Sequence, residues 1–93
     1  HVSMGSVSAN KLLQVVDNVR GVLAIELMAA MQGLDERAVP SSPCLEAAKS
    51  KFRECVPSLG EDRVMYTLVR DAIAVLSSHS LLQAVKSAGV DLY

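Results

Sequence analysis

Aromatic residues are nearly missing from this 93-residue chain: one Phe, two Tyr and no Trp, 3% in all. That excludes a platform on which bases stack. Charge of one sign is missing too. Nine Lys and Arg against ten Asp and Glu leave a net charge of -1, with a pI near 6.1. No cationic field exists for a phosphate backbone, so nucleic acid is not an expected partner. Two cysteines are too few for a disulfide scaffold. The apolar run from Val22 to Met31 is too short to span a bilayer, and no cationic leader precedes it, so no membrane role is expected. The composition is that of a soluble, intracellular protein.

What the chain has is aliphatic: 51% of its residues are hydrophobic, so Ala, Val, Leu and Met must fill the interior, as in helix bundles. No proline interrupts His1 to Asp35, and Leu12, Val16, Val19, Leu23, Leu27 and Met31 recur at steps of three and four. This predicts one long helix within residues 1–34, about 45 Å long with about thirty residues taking part. Between Val22 and Met31 it is apolar on nearly every side, with Glu26 its only charge. A helix of that kind is buried. A domain of this size hides only about 60% of its unfolded surface and cannot wrap such a helix alone, so further cover must come from self-association or from other parts of a larger protein.

Gly33 offers a stop for that helix, and 35–42 has the residues of a connection. Ser42 followed by Pro43 predicts a capped second helix over 42–56, with proline where its missing N–H costs nothing. Its apolar stripe is Cys44, Leu45, Ala48, Phe52, Cys55 and Val56. The two cysteines stand about 16 Å apart along the helix, too far to bridge, and are read as buried thiols without a reactive role. Pro57 and Gly60 separate this from a third helix over 62–77, with Val69, Ile73 and Leu76 inward. A fourth follows over 80–88, with Leu81, Leu82 and Val85 inward and an end at Gly89. The expected fold class is all-α: one long central helix with three shorter ones, residues 1–93 forming a single helical segment without repeats or low-complexity stretches.

Candidate chemistry is sparse. His79 sits in a polar, turn-like run, Ser77-Ser78-His79-Ser80, and is expected to be exposed. No His-x-x-x-His or paired carboxylate accompanies it, so no metal is expected. Met28 and Met31 fit interior gap-filling better than a soft-metal or peptide site. Glu46 with Lys49, and Asp17 with Arg20, read as ordinary pairs on a solvated face.

The segment His1-Val2-Ser3-Met4-Gly5, then Asp17-Asn18, Val22-Leu23-Ala24-Ile25-Glu26-Leu27-Met28-Ala29-Ala30 and Gln32-Gly33-Leu34-Asp35, resembles the C-terminal part of histidine ammonia-lyase, of the aromatic amino acid ammonia-lyases. Glu61-Asp62-Arg63-Val64-Met65 is similar to a second segment of that family. The likeness is specific over the first half and looser from Pro40 onward. It implies non-oxidative elimination of ammonia from L-histidine to give urocanate. It also implies an electrophilic methylidene-imidazolone group, formed from an internal Ala-Ser-Gly. No Ala-Ser-Gly occurs here; Ser87-Ala88-Gly89 has the wrong order. The group would be formed outside this chain.

The family motif at this point reads Glu-Asp-His-Val-Ser-Met, and its glutamate belongs to the active site. The resemblance therefore places His1, Ser3 and Met4 at the active-site rim, and no catalytic residue within the chain. His1 is alternatively a residue left by cloning, with Met4 a native start. The first turns of the long helix carry unpaired N–H groups and a partial positive charge, and Gly5, Ser6, Ser8 and Ala9 let other backbones approach; close helix packing explains these small residues equally well. The resemblance further implies a cytoplasmic homotetramer whose subunits share a many-helix core, with the other parts of the same subunit as partners. Taken alone, this chain is expected to be inactive. A phenylalanine or tyrosine ammonia-lyase segment, and a stand-alone helical interaction module, are the alternatives.

Overall fold

Helix-favouring aliphatic residues without a break produce one continuous element, α1, over Met4–Glu36. At 33 residues it is about 50 Å long. In the computed structural model the described residues are 4–58 and 65–89. Three further helices follow: α2 (Pro43–Cys55), α3 (Met65–Ser78) and α4 (Ser80–Ser87). No strand occurs among the described residues, and the fold is all-α.

The helix ends show what the local sequence does. Gly33 does not terminate α1, which continues to Glu36; nothing lies within 4 Å of a Cβ built there, and its backbone stays helical. A glycine caps a helix end when it adopts the left-handed conformation itself, which Gly33 does not. Ser42 caps α2, its Oγ accepting from the Leu45 N–H at 3.4 Å, and Pro43 occupies the first turn. Glu46 reaches back to accept the Ser41 N–H at 2.8 Å. Helices α3 and α4 are split at His79, whose φ of 60° is left-handed. Ser78 stabilises the break: its Oγ donates to the Val75 carbonyl at 2.9 Å and accepts the Ser80 N–H at 3.4 Å. Gly89, at φ 95°, follows α4. The start expected for the third helix near Asp62, and the segment 61–64, lie outside the described residues.

The core is one cluster of Ala24, Met28 and Met31 from α1, Ala48, Phe52 and Val56 from α2 and its end, and Leu68, Ala72 and Val75 from α3. Phe52 is fully buried at its centre. The C-terminal half of α1 packs on α3, and α2 packs on both α3 and α4. Alanines stand in this cluster on all three helices, at 24, 48 and 72, where small side chains let helix axes come close.

Two expected stripes are displaced. On α3 the buried residues are Leu68, Ala72 and Val75, while Val69, Ile73 and Leu76 pack at the margin; α3 meets helices on two sides, so the interior face spans both rows. On α2, Ala48, Phe52 and Val56 are buried, but Leu45 and Cys55 are exposed and Cys44 is half-buried. The burial expected for Cys55 is corrected: Cys55 is exposed, and the next residue, Val56, takes the last core position at that end of α2. Leu81 and Val85 pack against the core from α4, and Leu82 is half-buried.

The principal extents are 61 × 38 × 17 Å and the radius of gyration is 16.5 Å, against about 12 Å for a closed globule of this length. The accessible surface is 6731 Å², against about 5,200 Å² expected for the mass. The excess has a visible source. Residues 4–20 of α1 are all exposed, extending beyond the other helices as a bare arm.

Candidate functional site

Of the residues assigned by sequence to the active-site rim, one, Met4, is described, and it stands at the start of that arm. His1 and Ser3 lie outside the described residues. Met4 is the first residue of α1 and is 76% exposed. Gly5, Ser6, Ser8 and Ala9 are exposed beside it. The first turn contains no acidic residue, so no carboxylate of its own offsets the partial positive charge of the helix N-terminus. The surface there is small, neutral and open to a neighbour's backbone or an electron-rich group.

Farther along α1 the geometry departs from the expected burial. The stripe read from the sequence splits: Met31 is buried and Leu27 partly so, but Leu12, Val16, Val19 and Leu23 are exposed, Leu12 at 62% and Leu23 at 48%. The face that α1 turns to its own chain is instead Ala24, Met28 and Met31, with Leu34 beside it. At 100° per residue this face lies roughly a third of a turn from the Leu12–Leu23 row. Val22, on the far side, and Ile25, at the edge of the α3 contact, are exposed as well. The all-round apolar character of Val22 to Met31 is thus matched by cover on one side only.

Two clefts flank this helix. Ile25, Met28, Ala29, Met65 and Val69 line a wholly apolar one of about 290 Å³ between α1 and α3. Arg20, Leu23, Leu76, Ser77 and His79 line another of about 260 Å³ between the middle of α1 and the α3–α4 junction. Their linings place Arg20 and Leu23 near the C-terminal end of α3 and Ile25, Met28 and Ala29 near its N-terminal end, so the two helices run in opposite directions.

Sequence reading missed an ionic cluster that fastens the C-terminal end of α1. Asp35 Oδ2 accepts from Arg53 Nε at 3.0 Å and also pairs with Arg53 Nη2, while Lys49 Nζ stands 3.4 Å from Asp35 Oδ1. Lys49 also pairs with Glu46 at 3.6 Å, and Arg53 Nη1 donates to the Val56 carbonyl at 3.1 Å. Partial burial pushes the Asp35 carboxyl upward, but the hydrogen bonds and charges of Arg53 and then Lys49 outweigh it and hold the group below its ordinary value. Sequence showed Glu46 with Lys49 as an isolated pair; the i,i+4 spacing of Lys49 and Arg53 toward one acid was the signal that could have revealed the rest. The cluster joins the end of α1 to α2, and its role is structural.

Catalytic chemistry is not assembled among the described residues. No group of three or more His, Cys, Asp or Glu that could hold a metal occurs among them. His79 is exposed, and Asp17 and Arg20 form the expected pair at 3.9 Å. No helix among the described residues is long and apolar enough to cross a membrane.

Comparison with known proteins supplies the family context. A family model described as aromatic amino acid lyase matches residues 1–54. The histidine ammonia-lyase of Sorangium cellulosum is 48% identical over 90 residues, 95% of this chain and 17% of that protein. That of Desulfotalea psychrophila is 44% identical over 79 residues, 84% of this chain and 15% of the relative. That of Anaeromyxobacter dehalogenans is 52% identical over 77 residues, 81% and 14% respectively. The chain thus spans about a sixth of the length of the curated relatives it matches. No solved structure matches it significantly.

Proposed function

Because the chain belongs to the aromatic amino acid lyase family, we propose that it is the C-terminal helical segment of a histidine ammonia-lyase, serving a subunit that eliminates ammonia from L-histidine to give urocanate. The observation that carries this reading is the 48% identity to a histidine ammonia-lyase across 95% of the chain. The family model alone would also admit a phenylalanine or tyrosine enzyme; the histidine-specific relatives favour the first.

The segment's work in that subunit is structural. A helix whose Val22–Met31 stretch is covered on one face by its own chain and apolar on nearly every other is a central helix, and its exposed apolar rows supply a subunit core and the contacts of a cytoplasmic homotetramer. The residues at its N-terminal end, His1, Ser3 and Met4, form a rim to the catalytic cavity.

The family's methylidene-imidazolone, where present, would supply an electrophile for the elimination. The chain has no Ala-Ser-Gly from which to form it, so these residues fit the group as neighbours rather than as its source. Their contribution is a helix start without an acid in its first turn, which favours electron-rich groups and carboxylates nearby, and small side chains that let other elements close over the site and exclude water. None of them moves a proton.

The test is to read the source gene upstream of the His1 codon, then express the complete subunit and assay urocanate formation from L-histidine. A continuous frame carrying Glu-Asp before His1 and an Ala-Ser-Gly farther upstream, with urocanate formed, is the expected result. An unrelated upstream frame, or turnover of phenylalanine or tyrosine in preference to histidine, overturns it.

A further inference from the structure

The polar groups lining the cleft between α1 and the α3–α4 junction are of one kind. Arg20, Ser77 and His79 supply a guanidinium, a hydroxyl and an imidazole; the other walls are Leu23 and Leu76, and no carboxylate lines the cleft. Asp17, the acid paired with Arg20, is 3.9 Å away, with both side chains more than half exposed. Such a pair is weak and leaves most of the five guanidinium donors unused. Neither the Ser77 hydroxyl nor the His79 ring has a hydrogen-bond partner among the described residues. The cleft opens at Leu23 onto the exposed apolar row of Leu12, Val16 and Val19. Whatever covers that row also removes water from Arg20, and a guanidinium dried with only the distant Asp17 beside it keeps most of its donors unsatisfied, which is unfavourable. A purely apolar helix is therefore the wrong complement.

Resting on the reading of this chain as part of a larger subunit, we propose that the Arg20–Ser77–His79 cleft receives the carboxylate of an Asp or Glu carried on an otherwise apolar helix. That helix comes from the part of the subunit outside these 93 residues and lies along the Leu12–Leu23 row. The carboxylate accepts from the guanidinium and from Ser77 or His79, and sets the register of the incoming helix. Charge complementarity selects an acid. The adjoining apolar row selects a helix over a free small anion, which would leave that row bare.

The experiment uses the complete subunit. A benzophenone side chain placed at the exposed Ser77 position is photo-activated and the cross-linked peptide mapped. In parallel, thermal unfolding of R20M, R20K and D17N is compared with wild type, and urocanate formation by the unmodified subunit is measured. The expected result is a cross-link to a helical peptide outside the 93 residues that contains Asp or Glu, with R20M lowering the unfolding midpoint by several degrees more than D17N and R20K recovering part of the loss. Equal effects of R20M and D17N, a cross-link confined to the 93 residues or to a peptide without an acid, or Arg20-dependent stabilisation by added acetate without a cross-link would each overturn the proposal while urocanate formation persists. Loss of urocanate formation in the unmodified subunit removes the lyase reading itself, and the proposal with it.

Discussion

Asp35, in the last turn of α1, is bound by Arg53 of α2 through two guanidinium nitrogens, with Nε 3.0 Å from Oδ2. Eighteen residues separate the pair in the chain, so the contact ties the long helix to the second one across the loop between them. Lys49 joins from the same face of α2.

Removing this tie has a defined pH signature. The Asp35 carboxyl is held below its ordinary value of 3.8, so its contribution to stability is complete above that value and is lost as pH falls through the lower, folded one. D35N is expected to cost about 1 kcal/mol at neutral pH, the upper end for an incompletely buried pair because two cations share the acid. Below the folded value the variant and the wild type should converge. Denaturant titrations at neutral and acidic pH check this; a constant difference at both would mean that Asp35 acts through packing instead.

Phe52 carries the centre of the core with no exposed surface. F52A is expected to destabilise by about 3–5 kcal/mol, and F52L by clearly less, since the cavity it leaves is smaller. Urea unfolding followed by far-UV circular dichroism distinguishes them.

Gly33 is a helical interior residue with empty space around its Cβ position. G33A is therefore expected to stabilise the 93-residue chain by roughly 0.5–1 kcal/mol through helix propensity. A loss of stability would instead assign Gly33 the role of helix terminator that its sequence context suggests.

His79 holds a left-handed backbone at φ 60°, a region that histidine tolerates better than branched residues. H79V is expected to cost about 1–2 kcal/mol, whereas H79G should be neutral or mildly stabilising, despite its more flexible unfolded chain. The thermal midpoints of the two variants, measured side by side, decide it.

Ser42 caps α2 through a long 3.4 Å bond. S42A should thus fall near the low end of capping losses, about 0.5–1 kcal/mol. Asparagine or aspartate at this position should retain most of the stability, which denaturant midpoints would show.

Much of the fold was legible because its causes are local. The Ser42-Pro43 start of α2, the break at His79 and the end near Gly89 all depend on the chemistry of a few adjacent residues. So does the continuity of α1, which follows from an unbroken aliphatic pattern. The family likeness was legible for a similar reason, since it lives in the order of residues along one helix.

What the sequence could not express is which of several apolar rows meets which neighbour. Leu12, Val16, Val19 and Leu23 have the spacing of a core stripe, yet the chain's own core takes Ala24, Met28 and Met31. Periodicity records that a face is apolar, whereas the choice between faces depends on the volumes and axes of partner helices far away in sequence. The same limit hid the Asp35–Arg53 tie and misplaced Cys55. The residues by themselves determined that helices form and how α2 starts and α4 is set off, because those rest on backbone hydrogen bonds and caps within a few positions; the stop suggested at Gly33 was overridden. Only the tertiary structure decided which side of α1 is covered and which is left for a partner, because burial is a property of the assembled surface and not of any segment of it.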